Sequence, residues 1–260
     1  MSEPRKMSPS CYLIPHSWAD RIARRDEKRR KLLAFLRVEF WTVPEIAGQI
    51  FGLLDMRAIN STLYAMQRDE LIVREVTRLP SGRAVNIVGI TMHGQAHIAH
   101  LLDRPMVDRA YEKGRVGLSL VDHRCDLQRL RIRLAQAGWK GWLYPDRQTV
   151  AQKTVGQTHR ADAIVTHHSG RVVAVECERT VKTAKRYRVI AGHHLTAIAS
   201  GDYERVIYTS PDIATVYAVR DLMLGISQAV VTGRVTPVTQ EMRACFHFCT
   251  YADLVAQEIK

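Results

Sequence analysis

The stretch RVVAVECER, Arg171 to Arg179, limits the possible folds most, because a run rich in valine ends in two carboxylates. Strand side chains alternate faces, so Val172, Ala174, Glu176 and Glu178 are expected on one side, with Val173, Val175 and Cys177 on the other. The preceding run ADAIVTHH reads as a partner strand, and Ser169 with Gly170 supplies a turn, so the two should pair as a hairpin. Glu176 and Glu178 then emerge together where a buried strand ends. Like charges repel there and desolvation is costly, so the position calls for a cation.

Two arrangements answer that demand. In the first, a hard divalent ion, Mg²⁺ or Mn²⁺, takes carboxylate oxygens from Asp162, Glu176 and Glu178, Asp162 standing at the start of the preceding strand. Lys182 and Lys185, about one turn apart in the helix expected to follow, would then orient water or stabilise charge at a scissile phosphate. In the second, the glutamates enter a buried ion-pair network with Arg160, Arg179 or Lys182, or lie at a solvated strand edge.

Upstream, the hydrophobic periodicity is helical and then strand-like. Residues 1–20 are expected to form a flexible arm, and the cation-rich run Arg21 to Lys31 either a solvated helix face or a phosphate-contacting segment. KLLAFLRVEF places Leu32, Leu33, Phe35 and Leu36 for one helix; Thr42 as N-cap and Pro44 in the first turn open a second. A third, MRAINSTLYAMQRDEL, spaces Ile59, Leu63 and Met66 inward and leaves Arg57, Asn60, Ser61 and Tyr64 outward. LIVREVTRL and RAVNIVGIT follow, separated by Pro80, Ser81 and Gly82, as a second hairpin.

Three helices and a hairpin are the parts of a winged helix-turn-helix, assigned here to residues 21–105 and closed by a helix near 94–102. In that fold Arg57, Asn60, Ser61 and Arg68 are candidate groove or phosphate contacts, with Arg78 and Arg83 on the wing. Asp103 to about Arg115 reads as a linker, and residues 106–260 as an α/β sandwich with a central mixed sheet. Leu127, Leu130, Leu134 and Ala137 recur at helical spacing before Gly138 ends that helix. RVIYTS is expected as a strand, Pro211 as a turn before a helix, and HFCTYADLVAQEI as a closing helix.

A formal net charge of +12, from 38 Lys and Arg against 26 Asp and Glu, favours a polyanionic partner. The chain has neither a membrane-spanning apolar run nor a signal-peptide core, so a cytoplasmic protein without membrane insertion is expected. Five scattered cysteines support neither a disulfide framework nor a CxxC zinc site. The His167/His168 and His193/His194 pairs are expected to diverge rather than ligate zinc, with His167 and His168 on opposite faces. His159 and Arg160 suit phosphate contacts. Asp122 is expected to cap a helix beside an exposed His123, and Tyr187 and Tyr208 to pack in the core, although a nicking enzyme could use either tyrosine as nucleophile.

Asp162, a glycine-turned hairpin and a strand ending in E-x-E resemble the PD-(D/E)xK, restriction-endonuclease-like phosphodiesterase fold, with Glu178 where the usual lysine stands and Lys182 or Lys185 as its replacement. RADAIV, VAVECERTVKTAKRY and the stretch RAYEKGRVGLSLVDHRCDLQRLRIRLAQAGWKGW, downstream of a winged helix, more closely resemble the replication-relaxation family, which includes MobC-type plasmid mobilisation relaxases. The resemblance implies recognition of a plasmid transfer origin by the first domain, Mg²⁺- or Mn²⁺-dependent nicking of one strand by the second, and relaxosome or coupling proteins as partners. A three-histidine relaxase motif is not found. The alternatives are a catalytically inactive DNA-binding relaxosome accessory protein or regulator, and a replication initiator that opens DNA without cutting it.

Overall fold

Ser17 and Asp20 exchange side-chain-to-backbone hydrogen bonds and so start α1, Trp18–Glu39, as a single helix. The basic run and KLLAFLRVEF are therefore continuous, and residues 18–20, expected in a flexible arm, form the helix's first turn. The structure, a computed structural model, describes residues 17–145 and 160–256; the rest of the expected arm lies outside the described residues. These divide into two units, with the boundary in the chain between Val121 and Asp122.

In the first unit β1, Trp41–Thr42, precedes α2, Pro44–Phe51, with Pro44 in the first turn. Thr42 belongs to the strand, and Val43, which gives no side-chain cap, takes the position expected for Thr42. Asp55 accepts the amides of Arg57 and Ala58 to start α3, Met56–Arg68, whose Ile59, Leu63 and Met66 are buried. β2, Ile72–Arg78, and β3, Ala84–Ile90, pair antiparallel from Ile72 opposite Ile90 to Arg78 opposite Ala84. Gly82, at φ +81°, makes the turn. β1 pairs with the other edge of β3, and α4, Met92–Leu101, starts at Thr91. Leu32, Leu36, Ala47, Leu63, Met66, Val88 and Ile98 share one core, in which each large side chain contributes roughly 2 kcal/mol.

The stretch after Pro105 is bound rather than free. Gln95 Nε2 donates to Arg109 O at 2.8 Å, the Tyr111 amide donates to Ile90 O at 2.9 Å, and the Tyr111 hydroxyl bonds Glu75. The Tyr111 ring fills the space over Gly89, where an added Cβ would come within 2.1 Å of it. This segment, read from sequence as a linker, seals one strand of the small sheet.

The second unit has the order α5 (Val121–Gln136), β4 (Lys140–Leu143), β5 (Ala163–Thr166), β6 (Val172–Cys177), α6 (Ala184–Ala199), β7 (Arg205–Ser210), α7 (Ile213–Leu224), β8 (Gln228–Val231), β9 (Arg234–Pro237), α8 (Gln240–Arg243) and β10 (Phe246–Thr250). Five strands form a mixed sheet in the order β10-β7-β6-β5-β4, antiparallel from β4 to β6 and parallel from β6 to β10. Val173, Val175 and Cys177 join Leu127, Leu130 and Leu134 of α5, whereas Ala174 joins Tyr187, Ile190 and Val219 of α6 and α7. The alternation expected for RVVAVECER therefore separates two cores, one on each face, and the protein is of mixed α/β class.

HFCT is not helical. It forms β10, parallel to β7, with Phe246 and Cys249 on opposite faces, and only Asp253–Ala256 of the expected closing helix makes a short 3-10 turn. β8 and β9 form a separate hairpin packed on α6, where Gly192 admits the Val230 carbonyl. Among the described residues, no helix is long and apolar enough to cross a membrane.

Candidate active site

The β5–β6 hairpin brings the expected acidic residues together. Ala163 pairs with Val175, so continuing the register sets Asp162 opposite Glu176, and Asp162 Oδ2 accepts the Cys177 amide at 2.8 Å. Glu178 follows directly after β6, its amide bonded to Thr209 O at 2.8 Å on the neighbouring β7. Glu176 and Glu178 are both 3% exposed. Burial pushes the Glu178 carboxyl up; Lys182 opposes this, and the negative charges of Glu176 and Asp162 reinforce it. The three carboxylates are thus close enough to feel one another.

Each also has a basic side chain beside it. Lys182 Nζ touches both oxygens of Glu178. His123 Nε2 on α5 lies 3.1 Å from Asp162 Oδ1. Burial alone would lower the His123 pKa, but its hydrogen bond to Asp162 and that carboxylate's charge outweigh burial and raise it. On α6, His194 Nε2 lies 3.2 Å from Glu176 Oε1, both groups buried, and its Nδ1 is 2.7 Å from the Tyr203 hydroxyl. Among the described residues, no group of three or more His, Cys, Asp and Glu side chains could hold a metal ion in the positions shown.

Of the cations considered for an ion-pair network, only Lys182 reaches a glutamate. Arg179 bonds Asp126 and stands 3.9 Å from Asp122, both on α5, while Arg160 donates to Pro145 O at 3.0 Å. Asp126 also accepts from Arg129 at 3.0 Å and from the Tyr251 hydroxyl at 3.3 Å, and Tyr251 reaches Cys177 Sγ at 2.6 Å. This buried node ties the end of β6 to α5 and to the chain beyond β10. Lys182 precedes α6 instead of lying in it, since Thr183 is the N-cap; Lys185 is exposed in the first turn.

Tyr187 and Tyr208 are buried, which removes both as accessible nucleophiles. Burial pushes the Tyr187 hydroxyl up to about 12 and that of Tyr208 well above its ordinary value. Tyr208 lies opposite Glu176 in the β6–β7 register, and its fully buried hydroxyl has no hydrogen-bond partner among the described residues. His167 and His168 do not diverge: their rings lie with centroids 3.7 Å apart and planes tilted by 41°, and His167 also meets the edge of Trp139 at 4.7 Å.

The DNA candidates divide between the units. Arg57, Ser61 and Arg68 are exposed on α3, and Asn60 is half-buried there. Arg78 and Arg83 are exposed at the β2–β3 turn. Arg160 is half-buried at the entry to β5, and His159 lies outside the described residues.

His123, His194, Asp126 and Tyr251 are the site residues that sequence reasoning undervalued or missed. His123, at the start of an amphipathic helix next to Asp122, gave a signal that was read as exposure; His194 stood out only as half of the His193/His194 pair, and Asp126 and Tyr251 gave no signal. Set against protein-family models, curated proteins and solved structures, the chain gives no match in any of the three.

Proposed function

We propose that this chain is a metal-dependent DNA-nicking enzyme of the cytoplasm, with a winged-helix reader in its first unit and a restriction-endonuclease-like centre in its second. The observation that carries the reading is the convergence of Asp162, Glu176, Glu178 and Lys182 at one end of the β5–β6 hairpin, with Glu178 held above its usual carboxyl range despite the touching ammonium. The plasmid transfer origin as target, and relaxosome or coupling proteins as partners, follow from the resemblance of the motifs to the replication-relaxation family.

The donor chemistry fits Mg²⁺ or Mn²⁺. Carboxylate oxygens are the ligands such ions take, and three carboxylates converge at this hairpin end, close enough to raise the Glu178 pKa. The unused Tyr208 hydroxyl adds a buried polar atom beside the same glutamates. Asp162, Glu176 and Glu178 would hold the ion, which when bound supplies Lewis-acid polarisation and an activated water. Lys182, displaced from Glu178, would place its ammonium at the phosphate. Lys185, exposed beside it, is the second cation for the DNA backbone, and Arg160 lies near the same hairpin end.

A second reading has its own observation. His123, His194 and Lys182 already give each carboxylate a basic neighbour, the arrangement expected of a nuclease-like domain that binds without cutting. In that case the chain is a DNA-binding accessory protein or a regulator of transcription or replication.

Supercoiled plasmid carrying a duplex site bound by the protein separates the two. Open-circular product is expected with Mg²⁺ or Mn²⁺, is lost in EDTA, and is lost in Asp162→Asn and Glu176→Gln while DNA binding persists. Binding with no nicking at any metal concentration would establish the second reading.

A further inference from the structure

The outward face of α3 and the strand β2 beside it are joined through one side chain. Arg74 on β2 donates Nη2 to Asn60 Oδ1 at 2.8 Å, and its guanidinium carbon lies 4.4 Å from the centre of the Tyr64 ring. Asn60 and Tyr64 stand one turn apart on α3, away from the buried Ile59, Leu63 and Met66. Arg57, Ser61 and Arg68 are exposed around them, and Tyr64 is 62% exposed. This face carries three nearby arginines, Arg57, Arg68 and Arg74, and so suits the phosphates of duplex DNA.

Chemistry fixes which way Asn60 points. A guanidinium has only N–H donors, so the amide atom facing Arg74 must be the oxygen. Stacking over Tyr64 holds the guanidinium in place. The Asn60 NH₂ is then the end left for a ligand. An asparagine that reads adenine uses both ends, the oxygen accepting from N6 and the nitrogen donating to N7. With its oxygen turned to Arg74 and one of its two lone pairs taken by a cation, that oxygen is the weaker offer and the NH₂ donors are the stronger one. Guanine answers with two adjacent acceptors, N7 and O6, whereas adenine presents an N6 donor that would be left unmet.

We propose that Arg74 is a positioning residue that turns the Asn60 oxygen toward β2 and its NH₂ outward, so that the base Asn60 meets is guanine rather than adenine. This rests on the reading of α3 as the DNA-facing helix.

The test is selection from a pool of random-sequence duplex DNA by the full chain in EDTA, for wild type, Asn60→Ala and Arg74→Met. One position of the wild-type motif is expected to lose its preference in Asn60→Ala; that position is guanine in wild type, favoured over adenine on the order of tenfold. In Arg74→Met the same position is expected to move toward adenine. Adenine there in the wild-type motif overturns the proposal without recourse to the Arg74 variant. So does Arg74→Met that binds every sequence more weakly but keeps the wild-type base, since that is the mark of a lost phosphate contact. A motif in which no position depends on Asn60 overturns the proposal and leaves α3 as a DNA contact. Failure to enrich any sequence overturns both.

Discussion

At Glu178, burial and the neighbouring carboxylates push the carboxyl up even though Lys182 touches both its oxygens. The folded state therefore prefers the protonated acid more than the unfolded chain does, so the group favours folding at low pH and loses that contribution as pH rises through its folded pKa. Glu178→Gln should then melt no lower than wild type at neutral pH and abolish nicking, and its thermal advantage should shrink as pH falls toward the range where Glu178 binds its own proton. His123 has the matching sign for a base: its raised pKa contributes stability at acid pH that disappears as pH rises through the folded value. His123→Gln should lower the melting temperature most below about pH 6, with the deficit closing on the alkaline side. Asp162, Glu176 and Glu178 were legible because a short hairpin gathers them locally. His123 lies 39 residues from Asp162 in sequence, and nothing in the local pattern marks such a contact.

Elements bounded by strong local chemistry were equally legible. Asp55 starts α3, Gly82 makes the β2–β3 turn, and Gly138, at φ +85°, follows the end of α5. HFCT failed because a short apolar run satisfies either period, and its pairing partner β7 lies far upstream. β4 escaped notice for a similar reason: it is a four-residue edge strand, mostly exposed, and its partner β5 follows only after a long interval. Gly192 marks where an element depends on one missing side chain. A Cβ there would come within 2.5 Å of Val230 O, so Gly192→Ala should force the β8–β9 hairpin off α6. A loss of roughly 1–3 kcal/mol in denaturant unfolding is expected, together with faster amide exchange in β8.

Across the whole molecule, the net charge of +12 bears on the proposed DNA contact through the form of the affinity more than through its target. Binding of duplex DNA should weaken steeply and log-linearly with salt as condensed counterions are released. A fluorescence-anisotropy titration between about 50 and 200 mM salt checks this, and Arg78→Ala or Arg83→Ala should each reduce the slope by about 1 without changing the preferred sequence.

Tyr111 bears on how the protein can be dissected. Because its ring occupies the notch over Gly89 and its hydroxyl bonds Glu75, the first unit carries its own cover, supplied by residues that come after the helical bundle is complete. A fragment cut at Pro105 would leave that notch bare, whereas one reaching Val121 would keep it filled. Biochemists who divide the chain where the sequence looks loosest would obtain a stickier, less durable piece.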